Sequence, residues 1–370
     1  MDSLRHNLEA ITRHVGEDVG VIPVVKADAY GHGAVSVSWA LVEAGVQLMA
    51  VATLDEALEL LEAGIPARML ILGGITGEVS LQDIPPDCIP VVWDEDGLNF
   101  ANTLPGAAGR PIEIHVKIDT GMTRLGCNPD DLTHLLEVSV GLDNVRVTGV
   151  MSHLSSADGN GTDDAVFTNE QILMFRQSCN RLAMGILRHL SASAATIAYP
   201  DSWFDAVRPG LMLYGIWPFA DGQTRSGLGP ADLEPVMSVK SSVLAVRDAP
   251  VGTPVGYSRT YKTPVNQKIG VIPAGYADGI SRKLSNRGHV LIGGKRRKIL
   301  GSVTMDYIMV DITEPPMVFP GDEVVIMGKQ QNEIISAWDI AEWSETIPYE
   351  VTCAVSRRVT RISYDKLGRR

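Results

Sequence analysis

The chain is organised by a beat of eight short apolar runs between about residue 20 and residue 215. GVIPVVKADA, VQLMAVAT, ARMLILGG, CIPVVW, IEIHVKIDT, VRVTGVMSHL, LRHLSASAA and AVRPGLMLYG succeed one another at intervals of roughly 20 to 40 residues. Each is rich in Val, Ile and Leu, as a parallel strand buried on both faces requires. Between most of them lie amphipathic stretches such as VSVSWALVEAG, LDEALELLEAG and PDDLTHLLEVSV. In the last, Leu132, Leu135 and Leu136 share a face, and Pro129 with the two aspartates after it suits a helix N-terminus. Eight strands alternating with helices predict an α/β fold, a (β/α)8 barrel of the TIM type. A doubly wound open sheet fits less well. It more commonly has about five to seven strands and a Gly-rich first turn, and GHG after Lys26 is not GxGxxG.

After about residue 225 the helical spacing stops. SGLGPADLEP reads as a linker, and the runs VMSVKSSVLAVRDAP, KIGVIPAGYAD, HVLIGGKRRKILG, MDYIMVDIT and EVVIMG are β-prone segments bounded by Gly, Pro, Asn and Asp. The clear helical candidate in this part is IISAWDIAEWS. A chain of 370 residues exceeds the size at which one core keeps growing. The expected division is a barrel domain over 1–228 and a mostly β domain over 229–370.

The net charge of −12 argues against nucleic-acid and anionic-membrane partners. The basic cluster Lys295, Arg296, Arg297 and Lys298 reads as a solvated turn. No secretory h-region opens the chain, and no apolar run is long enough to span a bilayer. Cys88, Cys127, Cys179 and Cys353 lack CxxC spacing and read as reduced thiols rather than zinc ligands, so a cytoplasmic protein without a metal is expected.

Within this frame VVKADAYGHG poses a question, because Lys26 ends an apolar strand. At the C-terminal face of a barrel, where such folds place their chemistry, a partly desolvated lysine disfavours its ammonium form and can bond covalently to a carbonyl. A lysine snorkelling from a strand end to water is the other reading of the same residues.

Further motifs appear in order: IEIHVKIDTGMTRLG, HLSASAAT, VRPGLMLYG, VGYSRTY, IPAGYADG, SVTMDYIMVDIT and IPYEVTC. With VVKADAYGHG they make the chain resemble the alanine racemase family of fold-type III pyridoxal-phosphate enzymes, from about residue 1 to residue 364. The resemblance implies that Lys26 holds pyridoxal 5′-phosphate. It implies that Tyr30, Ser193, the Gly210 and Leu211 backbone and Tyr349 reach the phosphate, and that Arg208 faces the pyridine nitrogen. Arginine stays protonated, so it donates to that nitrogen, and the ring is a weaker electron sink than one paired with a carboxylate. An arginine pairing with Asp205 is the structural alternative.

Racemisation needs a base on each face of the reacting carbon. By the resemblance these are Lys26 and Tyr257. An ordinary phenol is roughly 0.1% ionised at pH 7, so the second role asks about 4 kcal/mol of phenolate stabilisation. A relay from Tyr257 through His153 to Arg208 would supply part of it. Arg124 would orient the substrate side. Met305, Asp306 and Tyr276 would form the substrate carboxylate site and entrance. Lys117 matches a position that family members often carry as a carbamate, with a free lysine paired to an acid as the alternative.

The resemblance further implies a head-to-tail homodimer in which each site takes its barrel from one copy and Tyr257, Tyr276 and Met305 from the other. Two departures stand out. Family members usually carry a β-domain strand before the segment that begins here at Asp2, so an unpaired edge and poor solubility are expected, or a start upstream of Met1. Thr304 also stands where a cysteine is common. The expected activity is interconversion of L- and D-alanine, supplying D-alanine for peptidoglycan. A serine-preferring or broad-specificity racemase, a fold-type III decarboxylase and a non-catalytic pyridoxal-phosphate carrier are the alternatives.

Overall fold

The structure, a computed structural model, describes residues 1–75, 84–104, 110–159, 161–220 and 227–364. It divides into two compact units, Met1–Glu234 with Tyr364, and Pro235–Ser363. In the first, the eight apolar runs are eight parallel strands: β1 (Gly20–Val21), β2 (Leu48–Val51), β3 (Arg68–Ile71), β4 (Cys88–Val92), β5 (Ile112–Lys117), β6 (Val145–Met151), β7 (Leu187–Ala192) and β8 (Ala206–Arg208). They pair as β1-β8-β7-β6-β5-β4-β3-β2. A parallel bridge between Val24 and Ala50 closes the ring, with the Val25 N–H on the Ala50 carbonyl and the Ala50 N–H on that of Pro23, both at 2.8 Å. The barrel expectation holds.

Alternation puts successive side chains of a strand on opposite faces. In β5, Ile114 and Val116 are fully buried on one face, while Glu113, His115 and Lys117 share the other. The barrel core is thus apolar outside the ring and partly polar inside it. Helices cover the ring where their ends are capped. Leu54–Glu62 starts in a capping box: Thr53 Oγ1 accepts from the Glu56 N–H at 3.3 Å, and the Glu56 carboxylate accepts from the Thr53 N–H at 3.3 Å. Leu132–Val140 follows a turn at Pro129–Asp131 and buries Leu132 and Leu135.

Most of the stretch read as a linker is ordered, although Ser226 lies outside the described residues. Gly229 caps the turn Pro230–Asp232, and Glu234 is tied to Asn7 by two hydrogen bonds of 2.8 Å.

The second unit is mostly antiparallel sheet, as its composition suggested. Strands β9 (Val239–Ser242), β10 (Ala245–Ala249), β11 (Pro254–Val255), β12 (Tyr261–Lys262), β13 (Gln267–Ile272), β14 (His289–Ile292), β15 (Lys295–Leu300), β16 (Ile308–Asp311), β17 (Glu323–Gln330) and β18 (Glu333–Ile335) follow in order. The main sheet runs β10-β13-β16-β15-β14-β17-β18, β9 adds to β17, and β11 pairs with β12.

Two stretches fold differently from expectation. The basic cluster is not a solvated turn but the first two-thirds of β15. Arg297 is 4% exposed and donates to the carbonyls of Glu314 and Pro316, so strand alternation turned one of four charges inward. And besides Ala337–Ser344 a second helix forms at Pro348–Cys353, begun by a proline whose missing N–H costs nothing at a first helical position. Among the described residues, no helix is long and apolar enough to cross a membrane, and no His, Cys, Asp and Glu cluster could hold a metal.

Candidate active site

Lys26 stands just beyond the Val24–Ala50 closure, at the C-terminal end of the first barrel run. The chain then does something its residue types do not announce. Ala27, Asp28, Ala29 and Tyr30 all take φ of 53–54° with ψ of 38–52°, one left-handed turn without a glycine. Each such residue costs about 1–2 kcal/mol against the right-handed form. Surrounding bonds hold the turn. The Ala27 N–H donates to Glu56 Oε1 at 2.7 Å, the Ala29 N–H to the Val25 carbonyl at 2.8 Å, and Asp28 Oδ1 accepts from the Ala34 N–H at 2.7 Å. The helix cap at Glu56 is therefore also the anchor of the lysine's turn.

The turn buries Tyr30, whose ring packs 5.1 Å from that of Tyr214, and the Tyr214 hydroxyl donates to the Val24 carbonyl at 2.9 Å. The Tyr30 hydroxyl reaches Gly210. A Cβ on that residue would lie 2.3 Å from Oη, so glycine is required for the approach. Ser193, 2% exposed at the start of Ser193–Ala198, accepts from the Gly210 N–H at 3.0 Å and the Met212 N–H at 3.3 Å. Its own hydroxyl proton remains to donate. The Leu211 N–H, at the head of the turn Leu211–Tyr214, has no acceptor among the described residues. Tyr30, Ser193 and Leu211 thus form one cradle of donors around Gly210, whose own N–H is taken by Ser193.

Arg208, at the end of β8, is 2% exposed. Asp205 does not pair with it, being bonded instead to Arg188 at 2.6 and 2.8 Å. The acceptors around Arg208 are all neutral. Nη1 donates to His189 Nδ1 at 2.6 Å and the His189 carbonyl at 2.7 Å; Nη2 donates to the carbonyls of Ser152 at 2.6 Å and Leu190 at 2.9 Å. His153 Nδ1 stands 3.4 Å from Nη2, a long contact. Of the five guanidinium N–H groups, that on Nε has no acceptor among the described residues. Burial lowers the pKa to about 9, which leaves the group charged at neutrality.

Positive charge dominates the mouth. Burial, then Arg208, Arg124, Lys117 and Lys26, holds His153 well below its ordinary range. Lys117 is 6% exposed, and burial, then Arg124 and Arg208, pushes it down to about 8 against the opposing pull of Asp119. Arg124 is exposed in a loop closed by the Ile118–Cys127 bridge, in which Asp119 Oδ1 accepts the N–H groups of Gly121, Met122 and Thr123.

The first unit therefore brings together Lys26, Tyr30, Lys117, Arg124, His153, Ser193, Arg208, Gly210 and Leu211. The remaining candidates belong to the second unit. Tyr257 is 71% exposed on a turn behind Gly256, its carbonyl accepting from Ser302 Oγ at 3.2 Å. Tyr276 and Met305 sit on adjoining turns joined by two backbone bonds, from the Tyr276 N–H to Thr304 and from the Ala277 N–H to Met305. Asp306 pairs with Arg358 at 2.9 Å, and Arg358 also grips Asp278 at 2.8 Å. The Asp306 carboxylate is thus committed, and towards another carboxylate this segment offers backbone rather than side chain. Thr304 closes its own turn on Tyr307. Tyr349 lies in the helix Pro348–Cys353.

Sequence reasoning missed His115 and His189, which stand behind Arg208, and Glu56. The available signal was a histidine inside each of two strand runs, IEIHVKIDT and LRHLSASAA, with Lys117 two residues beyond the first.

Residues 1–218 match the family model described as alanine racemase, N-terminal domain, and residues 236–363 match that described as alanine racemase, C-terminal domain. The alanine racemase of Halothermothrix orenii is 40% identical over 372 residues, spanning 100% of this chain and 96% of that one. The crystal structure of alanine racemase from D-cycloserine-producing Streptomyces lavendulae superposes with a TM-score of 0.87 at 34% identity, over 97% of this chain and 94% of that one. That of the Bartonella henselae alanine racemase, described with covalently bound pyridoxal phosphate, gives 0.84 at 28% identity, over 98% and 97%.

Proposed function

The chain belongs to the alanine racemase family, and on that premise we propose that it interconverts L- and D-alanine with pyridoxal 5′-phosphate and two bases. The observation that carries this reading is the environment of Arg208: a buried cation with neutral acceptors on four N–H groups and, among the described residues, none on the fifth. An Nε–H with no acceptor among the described residues, on a guanidinium whose other donors are all held, would suit a ring nitrogen. The donor cradle of Tyr30, Ser193 and Leu211 beside a Cβ-free Gly210 suits a phosphate, so the residues present fit the cofactor. Lys26 would hold it, and when bound it would weaken the substrate's Cα–H bond by withdrawing electrons.

The protein's part is proton handling. Lys26 Nζ would exchange a proton with Cα on one face and the Tyr257 hydroxyl on the other, Lys26 serving D-alanine and Tyr257 serving L-alanine. Arg208 cannot accept a proton and would only donate to the ring nitrogen, so the bound cofactor would be a weak electron sink and Cα would be reprotonated promptly. His153, kept neutral by its cationic surroundings, can pass a hydrogen bond between Tyr257 and Arg208. Arg124, the Met305–Asp306 backbone and Tyr276 would receive the substrate carboxylate and guard the entrance, and Tyr349 would complete the phosphate cradle. Lys117 has the lowered pKa that lets an amine add carbon dioxide, releasing a proton, and the resulting carbamate would face Arg124 and Arg208.

The strongly exposed Tyr257, Tyr276 and Met305 of the second unit support a homodimer in which they complete the site of the other copy. D-Alanine made in the cytoplasm for peptidoglycan is the role that follows. The test is exchange of the L-alanine α-proton in deuterated water with chiral chromatography. D-Alanine carrying deuterium is expected. Release of carbon dioxide would instead make the protein a decarboxylase, faster turnover of serine a serine racemase, and cofactor binding without turnover a carrier.

A further inference from the structure

We propose that His115 and His189 form a tautomer lock that fixes the Arg208 guanidinium from behind, closed through the gap left by the missing side chain of Gly149. The consequence for catalysis rests on the reading of Arg208 given above; the lock itself rests on geometry.

The Arg208 guanidinium can only donate. Its Nη1 is 2.6 Å from His189 Nδ1, so that nitrogen carries no proton and the ring's hydrogen is on Nε2. His189 Nε2 is 2.8 Å from His115 Nδ1. It must donate there, so His115 Nδ1 also carries no proton, and the hydrogen of His115 is on its own Nε2. Histidine tautomers are ordinarily ambiguous. Here the fixed protonation of one residue sets both. A second proton on either ring would aim N–H at N–H, and burial, together with the charge of Arg208, opposes it in both.

The bridge crosses a strand. His115 is on β5 and His189 on β7, with β6 between them, and in register beside His115 is Gly149. A Cβ there would stand 2.6 Å from Cδ2, Cε1 and Nε2 of the His115 ring. The ring lies over that glycine to reach β7. Neither His115 nor His189 is more than 2% exposed, so no solvent can substitute for a lost partner.

Without the His115 acceptor, the His189 Nε2–H is buried with nothing to bond. Moving its proton to Nδ1 relieves that and sets donor against donor at Nη1. Either way Nη1 loosens while Nη2 stays on Ser152 and Leu190, and the guanidinium can tilt, carrying Nε off its line. His115 is therefore a positioning residue that acts through His189.

The experiment uses the full chain labelled with 15N-histidine, first free of cofactor, in two-bond 1H–15N correlation spectra at pH 7. His115 and His189 are expected as neutral rings protonated on Nε2, assigned by the signals lost in His115→Leu and His115→Asn. In His115→Leu and, independently, Gly149→Ala, the His189 pattern should change. With cofactor restored, each should lower kcat by about 10- to 100-fold, with KM within about twofold and the cofactor absorbance retained. That corresponds to about 1.4 to 2.7 kcal/mol of barrier. His115→Asn keeps an acceptor where Nδ1 was and should recover most of the rate. His189 protonated on Nδ1 in the parent, parental kcat in His115→Leu, or an asparagine variant no better than the leucine one would overturn the proposal. The tautomer spectra need neither substrate nor turnover, so a failure of the racemase reading would leave them standing and be recognised separately.

Discussion

Replacing Gly210 with alanine should weaken cofactor binding through its phosphate alone. The new Cβ would lie 2.3 Å from Tyr30 Oη, where ordinary contact begins at 3.4 Å, so the two must part by about 1.1 Å. Residue 210 is held, because its N–H is on Ser193 and it leads directly into the turn Leu211–Tyr214. The tyrosine must yield. A hydroxyl–phosphate bond stretched by that amount is no longer a hydrogen bond, and one to a charged partner is worth about 1.5–3 kcal/mol. The expected loss is about 10- to 150-fold in affinity for pyridoxal 5′-phosphate. The assay is titration of the cofactor-free protein followed by fluorescence, in parallel with pyridoxal, which lacks the phosphate. Affinity for pyridoxal should be nearly unchanged. In a Tyr30→Phe background, where Oη is already gone, the alanine should cost much less than in the parent. Unchanged affinity, an equal loss for both compounds, or strict additivity with Tyr30→Phe would refute the assignment of Tyr30 to the phosphate.

Tyr257→Phe should retain the cofactor absorbance and lose turnover of L-alanine by about 10²- to 10⁴-fold, read by chiral chromatography from each isomer; parental rates would mean another second base. Lys117 should incorporate labelled carbon dioxide, seen as a 13C resonance that vanishes in Lys117→Ala, given its pKa near 8. Stability should fall with acid. His115 is depressed to about 3 when folded, so below its ordinary value of 6.5 the unfolded chain binds the proton first, and stability present at neutral pH is lost towards pH 3. From pH 6.5 to 5 His115 alone accounts for about 1.7 kcal/mol, measurable by urea unfolding, and an unchanged midpoint would contradict its neutral burial. Mixing Lys26→Ala with Tyr257→Phe protein and allowing exchange should restore activity through the one intact site of the mixed dimer; continued inactivity would count against shared sites.

The barrel was legible because burial on both faces forces a strand to be apolar throughout, and eight such runs leave few other architectures. The candidates from VVKADAYGHG, VRPGLMLYG and HLSASAAT converge because each ends or follows a strand at the same rim. What escaped the sequence was geometry carried by ordinary residue types. Nothing in Ala-Asp-Ala-Tyr signals a left-handed turn, since the usual glycine cue is absent and the bonds that enforce it come from Glu56 and Ala34. His115 and His189 look like isolated polar residues until pairing across Gly149 joins them. Arg297 was misread because four basic residues in a row look uniform, although strand alternation separates their environments.

The inverted handedness at Ala27–Tyr30 means that the surroundings of Lys26 are not portable. Those residues, excised as a peptide or spliced behind a strand of some unrelated scaffold, would relax to the ordinary hand and swing the phenol away from the amine. Redesign of this catalyst must therefore begin from the whole ring and its capping glutamate, because the motif that identifies the site does not by itself encode the site's shape.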